Sequence, residues 1–339
     1  MLSGPPTPPS NRPAPRDVQL IFSRPVRAGA CAGESVRRDH DSIDDSFRGE
    51  ELDAEDVWTP LQLASAQGDL ALVGLLLSQD AADPNEPPTG WYGKTALQAA
   101  ALEGHSAIVD ALLAAGAAVD APGGSNGGRV ALALAAGAGR LDVVDGLLAA
   151  GAQVNRPAAR YMGRTALQAA AEGGHVDVVR ALLQRGADVN AAPARHHGRT
   201  ALQGAVQGRH VEVVDLLLAE GAWVNAGPSR YRGLTALQAA ALTGHVGLVT
   251  GLLEEGADVN AEGSYYNGST ALYAAAEAGH VRVVETLLDA GAERDAPSGN
   301  KRWTPLQVAA FGGQTEIVKL LKGTERGLGL HHDAIASHI

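Results

Sequence analysis

Apolar residues of this chain fall into two short helical patterns that are separated by a glycine. In the stretch after Thr95, Leu97 and the alanines at residues 99–101 come first, and Gly104 follows them. The second pattern consists of Ile108, Val109, Leu112 and Leu113. Side chains at i, i+1, i+4 and i+5 share one helical face, threonine is a good N-cap, and glycine permits the left-handed turn that ends a helix. The pattern predicts a helix, a turn and a second helix, followed by an extended loop.

This pattern occurs eight times at a nearly constant interval. Its first positions are Thr59, Thr95, Val130, Thr165, Thr200, Thr235, Thr270 and Thr304, which lie 36, 35, 35, 35, 35, 35 and 34 residues apart. A period of roughly 20 to 50 residues indicates units that stack, because one unit cannot bury its apolar face alone. The sequence therefore predicts an all-α repeat solenoid, in which residues 51–322 form one array of eight repeats.

The repeat T-A-L-Q-A-A-A-x-x-G-H-x-x-V-V-x-x-L-L-x-x-G-A-x-V-N resembles the ankyrin repeat, over residues 57 to about 322. The usual T-P-L-H reads T-A-L-Q at Gln98, Gln168, Gln203 and Gln238. The period exceeds the usual ankyrin length of about 33 residues by two, and the spacing from each Asn to the next Thr puts the extra length in the hairpin loop. The resemblance implies helix-turn-helix-hairpin units, a concave surface lined by hairpins and inner helices, and a non-enzymatic role in binding other proteins.

Two repeats depart from this pattern. The third has Val130 in place of the capping threonine and Arg140 in place of the histidine, and the fifth has Arg209 where a left-handed glycine is expected. A non-glycine residue in that conformation costs on the order of 1 kcal/mol. These two repeats are therefore predicted to be less stable than their neighbours.

Composition narrows the class of protein. The 339 residues have a net charge of -11, and the single cysteine, Cys31, rules out an intrachain disulfide framework or a cysteine-based zinc cluster. No run of about 18 apolar residues could span a membrane, and the N-terminus lacks the apolar core of a secretory signal. These features favour a cytoplasmic or nuclear protein, and no cofactor is expected.

Both ends of the chain lack the repeat pattern. Residues 1–50, first rich in Pro and Arg and then acidic, are predicted to be disordered, and residues 323–339 form a short C-terminal tail. A mitochondrial transit peptide is an alternative for the Arg-rich start, although the early prolines oppose the amphipathic helix it needs. Residues 39–56 contain nine acidic residues against Arg48. A further hypothesis is that this segment folds back and masks a basic surface of the array.

Two chemical patterns have structural explanations. Gly93-Lys94-Thr95 resembles part of a phosphate-binding loop, but that loop needs G-x-x-x-x-G-K-[ST], and only two residues separate Gly90 from Gly93. The repeated histidines are His105, His175, His210, His245 and His280. Because the helices of neighbouring repeats pack about 10 Å apart, successive histidines lie too far apart to share a zinc ion. We expect these rings to tie each turn to the backbone, and we predict neither a metal site nor a catalytic residue.

The six residues before each first position in repeats two to eight have a one-sided charge. These 42 residues contain ten Lys and Arg and no Asp or Glu, although the protein is acidic. They also contain seven of the thirteen aromatic residues, and four of those lie four residues before the first position. The predicted partner-binding residues, called the hairpin stripe below, are Trp91, Tyr92, Lys94, Arg129, Arg160, Tyr161, Arg164, Arg195, His196, Arg199, Arg230, Tyr231, Arg232, Tyr265, Tyr266 and Trp303.

The hairpin stripe predicts a scaffold or adaptor that binds an acidic or aromatic-containing protein segment, because Tyr, Trp and Arg most often supply binding energy at interfaces. One alternative is that the loops are merely solvated and their aromatic residues pack on one another. Another is a surface for single-stranded nucleic acid, which the net negative charge of the protein disfavours. Another alternative is the sensor part of a larger receptor whose switch module this chain lacks. The array is expected to be monomeric and not to bind a membrane.

Overall fold

The structure is a computed structural model that describes residues 58–79, 82–88, 93–124, 128–159, 162–230, 233–264, 268–299 and 302–323. The predicted N-terminal tail at residues 1–50 and the acidic segment 39–56 lie outside these ranges, as does the predicted C-terminal tail at residues 323–339 apart from Gly323. Within them the chain forms sixteen helices in eight pairs and no strand. The prediction of an all-α repeat solenoid is confirmed.

Every repeat contributes a first helix and a second helix. The first helices are α1 Pro60–Gln67, α3 Ala96–Glu103, α5 Ala131–Gly137, α7 Ala166–Gly173, α9 Ala201–Gln207, α11 Ala236–Thr243, α13 Ala271–Ala278 and α15 Pro305–Phe311. The second helices are α2 Leu70–Ser78, α4 Ser106–Ala114, α6 Leu141–Ala149, α8 Val176–Gln184, α10 Val211–Ala219, α12 Val246–Glu254, α14 Val281–Asp289 and α16 Thr315–Leu321.

The first helices begin at the predicted caps. In the fourth repeat the Gln168 amide donates to Thr165 Oγ1 at 3.2 Å, and the Thr165 amide donates to Gln168 Oε1 at 3.1 Å. This reciprocal capping box satisfies two amides that a helix start otherwise leaves without a partner. It forms in six repeats, those of α1, α3, α7, α9, α11 and α15. Val130 has no such bond, so α5 begins without a side-chain cap.

Small and large apolar residues have different places in the stack. In the second to seventh repeats nearly all alanines of the first helices are buried, as are Val178, Val179 and Leu182 and their equivalents on the second helices. Neighbouring first helices pack more extensively than neighbouring second helices do. Because alanine lets backbones approach closely, the alanine patches explain this difference.

In most repeats the loop after the second helix is tied to the first helix of its own repeat and to the next repeat. Gln168 Nε2 donates to the carbonyl of Ala191 at 2.9 Å, so one side chain both caps the helix and holds the loop. Asn155 Nδ2 donates to the carbonyl of Gly186 at 2.9 Å, and Asn155 Oδ1 accepts from the Asp188 amide at 2.7 Å. Asn85, Asn190, Asn225 and Asn260 make the same pair of bonds. This asparagine ladder links the loops in register.

The periodic histidines join neighbouring repeats. Nε2 of His175 lies 3.0 Å from the carbonyl oxygen of Gly137, near the end of the preceding first helix. His105, His210 and His280 make the equivalent contact. Four of the five rings therefore tie the turns to the backbone as expected, and the carbonyl belongs to the repeat before. His245 differs, since its Nδ1 accepts from the Leu248 amide of its own repeat at 3.1 Å.

The turn of the fifth repeat has the predicted left-handed residue. Arg209 has φ +61°, where Gly104 has +87° at the equivalent position of the second repeat. The Arg209 guanidinium donates to the carbonyl of Thr243 in the next repeat. A contact to the neighbouring unit thus accompanies the strained backbone.

Candidate functional site

The loops that carry the hairpin stripe are joined by backbone hydrogen bonds between neighbours. The Gly124 amide donates to Gly93 at 3.1 Å, the Met162 amide to His196 at 3.1 Å, and the Gly299 amide to Gly268 at 2.9 Å. Met162 and His197, both three residues before the cap, have φ values of +50° and +55°. Where they are described, the loops therefore follow one another in register, as a continuous surface requires.

Half of the hairpin stripe lies outside the described parts of the chain. These residues are Trp91, Tyr92, Arg160, Tyr161, Tyr231, Arg232, Tyr265 and Tyr266. In the column four residues before the cap, the structure describes His196 alone, and its side chain is half-buried. The aromatic column therefore stays a prediction.

Two described arginines face solvent, and other members of the hairpin stripe are half-buried. Arg195 and Arg230 are exposed, whereas Lys94, Arg129, Arg199 and Trp303 are half-buried. Lys94 Nζ lies 5.7 Å from the centroid of the Trp58 ring, within the range of a cation-π contact. The Trp303 and Phe311 rings pack with their centroids 5.1 Å apart. The positive residues thus differ in how much of their surface a partner could reach.

Arg164 differs from the prediction, since its side chain is only 5% exposed. Its Nε donates to Glu172 Oε2 at 2.7 Å, and its Nη1 donates to the carbonyls of Met162 at 3.3 Å and Gly163 at 3.0 Å. Arg199 Nη1 donates to the other carboxylate oxygen of Glu172 at 2.9 Å. Arg164 is therefore a positioning residue that braces its loop against α7, and solvent-facing contact falls to its neighbours.

Glu172 is a charged partner of the hairpin stripe that the sequence interpretation missed. It lies on α7, outside the six-residue windows in which charge was compared. Burial raises the pKa of Glu172, but the hydrogen bond from Arg164 and the charges of Arg164, Arg199 and Arg129 outweigh it, so the pKa lies below its usual value. The pairing could have been found from the sequence, because Arg164 lies one residue before the cap Thr165 and Glu172 lies seven residues after it.

Arg129 shares this electrostatic field without an ion pair to any described residue. Burial lowers its pKa, repulsion from Arg164 lowers it further, and attraction to Glu172 acts in the opposite direction. Arg199 has a lowered pKa because burial outweighs its attraction to Glu172. Three arginines thus surround one carboxylate, and the group carries excess positive charge.

A cavity of about 180 Å³ lies between the third and fourth repeats. Arg129, Arg156 and Arg164 line it together with apolar side chains that include Val130 and Leu132, and no acidic residue lines it. A smaller cavity of about 50 Å³ lies beside Arg199 and Leu234. The larger cavity combines positive charge with an apolar wall, which suits an anionic group on an aliphatic stem.

The described parts of the chain offer neither a metal centre nor a membrane span. Among the described residues, His, Cys, Asp and Glu do not gather into groups of three that could hold a metal ion. In the same parts of the chain, the helices are too short or too polar to cross a membrane.

Comparison with known families gives a match along most of the chain. A family model described as "Ankyrin repeats (3 copies)" matches residues 37–123, 61–158, 122–193, 192–263 and 260–328. No curated protein matches the chain. The matched segments overlap and together include every helix described above.

Proposed function

Because the chain belongs to the ankyrin-repeat family, whose repeats are generally protein-protein interaction modules, we propose that it is a scaffold or adaptor. It holds an acidic or aromatic-containing segment of another protein on a concave face formed by its hairpin loops. Binding and positioning are its whole function in this proposal, and no chemical step is assigned to it.

The observation that carries this proposal is the one-sided charge of the loops. The windows before the caps contain ten basic residues and no acidic one, in a chain of net charge -11. Where the loops are described, backbone hydrogen bonds join three neighbouring pairs of them, which supports a continuous surface. Solvation alone gives no reason to exclude acidic residues from seven successive loops, whereas attraction to an acidic partner does.

Charge reversal at two exposed loop positions tests the proposal. Affinity capture from native cells would compare the full chain with the Arg195→Glu, Arg230→Glu double variant, and binding of the main captured protein would be measured with purified components. We expect affinity to fall at least about tenfold, with a steeper loss at low salt.

The matched control is Arg180→Glu, which reverses an equally exposed arginine on the second helix α8. It changes the net charge of the chain without touching a loop, so it should leave capture nearly unchanged. Equal capture by the double variant and the wild type would refute binding on the loops.

A further inference from the structure

Two columns of residues face each other along the first helices. The first holds the residue before each cap, and the second holds the seventh residue after it. In the fourth repeat these are Arg164 and Glu172, which are paired at 2.7 Å. Arg199, the residue before the cap of the fifth repeat, reaches back to the same carboxylate at 2.9 Å. An arginine in the first column can therefore use a carboxylate from its own repeat or from the repeat before.

Neither place supplies a carboxylate to Arg129. The seventh residue after the cap is Gly137 in its own repeat and Leu102 in the repeat before. No hydrogen bond or ion pair joins Arg129 to the described residues, and the carboxylate of Glu172 is already shared by Arg164 and Arg199. Arg129 is thus a half-buried cation that is attracted to Glu172 but not paired with it, whereas its equivalents in the next two repeats bind that carboxylate directly.

The cavity beside Arg129 has the composition to receive that anion. Arg129, Arg156 and Arg164 all line it, and its remaining lining is neutral. Like charges gathered around low-dielectric walls raise the local potential and attract a counter-ion. A volume of about 180 Å³ greatly exceeds the roughly 15 Å³ that one water needs, so a whole side chain can enter.

We propose that this cavity receives the carboxylate of an aspartate or glutamate side chain from the bound protein segment, with Arg129 as its main ligand. The inference rests on the proposed function and assigns the chemistry and the position of one contact. The planar guanidinium fork matches a carboxylate, and the Glu172 pairs show this match in the neighbouring repeat. The aliphatic stem of the partner residue packs against Val130 and Leu132.

Peptides of defined sequence test this contact. A displayed library of random twelve-residue peptides is selected on the full chain, and the tightest peptides are synthesised with Glu or Asp, with the matching amide, or with phosphoserine at each acidic position. Binding of each peptide is then measured on the wild type, Arg129→Gln and the control Arg180→Gln. The amide removes the charge of the peptide side chain and keeps its shape. The amide change in the peptide and Arg129→Gln in the protein therefore form a double-mutant cycle.

We expect one acidic position at which the amide weakens binding about tenfold or more on the wild type and on Arg180→Gln. On Arg129→Gln the same change should have an effect below about threefold, because the contact is already lost. Glu172→Gln should strengthen binding of the acidic peptide several-fold, since it removes the carboxylate that competes for the same cations. Arg129→Lys, which keeps the charge without the fork, should give an intermediate affinity.

The outcomes separate the two proposals. Selected peptides whose binding ignores Arg129 would overturn the carboxylate site and leave protein binding by the array in place. Preference for phosphoserine over Glu and Asp would also overturn it, in favour of a phosphate site. Failure to enrich any peptide would count against both proposals. If Arg129→Gln does not fold, Arg156→Gln, at another arginine that lines the cavity, replaces it. A loss on acid-to-amide change that is the same on this variant as on the wild type would then overturn the carboxylate site.

Discussion

The third and fourth repeats have equivalent apolar cores and very different polar contacts. Val143, Val144 and Leu147 in the third repeat are as deeply buried as Val178, Val179 and Leu182 in the fourth, at 0 to 2% exposure. Their first helices pack directly on each other. Judged by apolar packing alone, the two units should be equally stable.

Four polar ties distinguish the two repeats. Val130 and Ala133 replace the capping pair Thr165 and Gln168, so the third repeat has neither the box nor the bond to its loop. Arg140 Nε contacts the preceding repeat at 3.4 Å, where His175 does so at 3.0 Å.

The fourth tie lies in the loop. Asp120 accepts from the Gln153 amide at 3.2 Å, but a carboxylate cannot make the donor bond that the equivalent Asn155 makes to Gly186. The comparison teaches that the apolar residues define the stack, while the polar ties decide how firmly each unit is held in it.

Leucine-to-alanine changes in the third and fourth repeats should have the largest effect, and they test whether the two apolar cores are equally stable. Leu147→Ala and Leu182→Ala should each lower the free energy of unfolding by about 2 to 5 kcal/mol, because both leucines are fully buried. The two losses should agree within about 0.5 kcal/mol, the usual scatter for independent sites. Urea unfolding followed by circular dichroism measures both. A much smaller loss for Leu147→Ala would show that the third repeat is already loosened, and the comparison would fail at its first step.

Removal of the capping glutamine should have the next largest effect. Gln168→Ala should cost about 1 to 3 kcal/mol, because it leaves the Thr165 amide and the Ala191 carbonyl without their partner in a buried site. The same urea titration applies, with Gln184→Ala at an exposed end of α8 as the control. A loss no larger than that of the control would mean that the capping box contributes nothing.

Glu172 gives a pH-dependent difference between the two repeats, since Gly137 holds the equivalent position. Its pKa in the folded protein lies below the usual value, so its contribution is present above the unfolded pKa of about 4.3 and is lost as pH falls through the folded pKa. At pH 7 Glu172→Gln should cost about 1 to 2 kcal/mol, a value reduced for the partial exposure of the carboxylate.

As pH falls below the unfolded pKa and through the lowered folded pKa of Glu172, the wild type and Glu172→Gln should converge in stability, which thermal unfolding at several pH values would measure. Glu277→Gln, the equivalent change in the seventh repeat, faces Ser269 in place of an arginine and should show little effect at any of these pH values. A gap between wild type and Glu172→Gln that widened in acid would contradict the pairing.

The smallest expected effect is a gain. Val130 has φ -69° and ψ 163°, nearly the values of Thr165, so Val130→Thr should form the missing cap and stabilise the array by about 1 kcal/mol. In the wild type, amide hydrogens of α5 should exchange faster than those of α7, α9 and α11, and the substitution should slow them. Uniform protection of the four helices before the change would contradict the weakness of the third repeat.

The fold could be predicted because its determinants are local and repeated. The seven capping threonines and the seven turn glycines act within a few residues, and the period shows each of these motifs seven times. The left-handed conformation of Arg209 also followed from its position in the period.

The candidate site was less accessible, because its contacts join different columns. Arg164 was predicted to face a partner, yet Glu172 on the following helix draws it into a buried pair. The second role of Gln168, as a tie to the loop at Ala191, depends on a bond between residues 23 positions apart. Such contacts depend on how the repeats stack. They cannot be seen when only the six residues before each cap are compared between repeats.

The asparagine ladder has a consequence for the length of the protein. Asn190 bonds to the residues 31 and 33 positions ahead, Gly221 and Trp223, and Asn225 repeats these bonds with Gly256 and Asp258. Excision of one full period, residues 191–225, would leave Asn190 with Gly256 and Asp258 at the same spacings of 31 and 33 positions. An array of this kind can therefore grow or shrink by whole units through recombination, whereas the loss of one residue between an asparagine and its glycine would break the ladder at that joint.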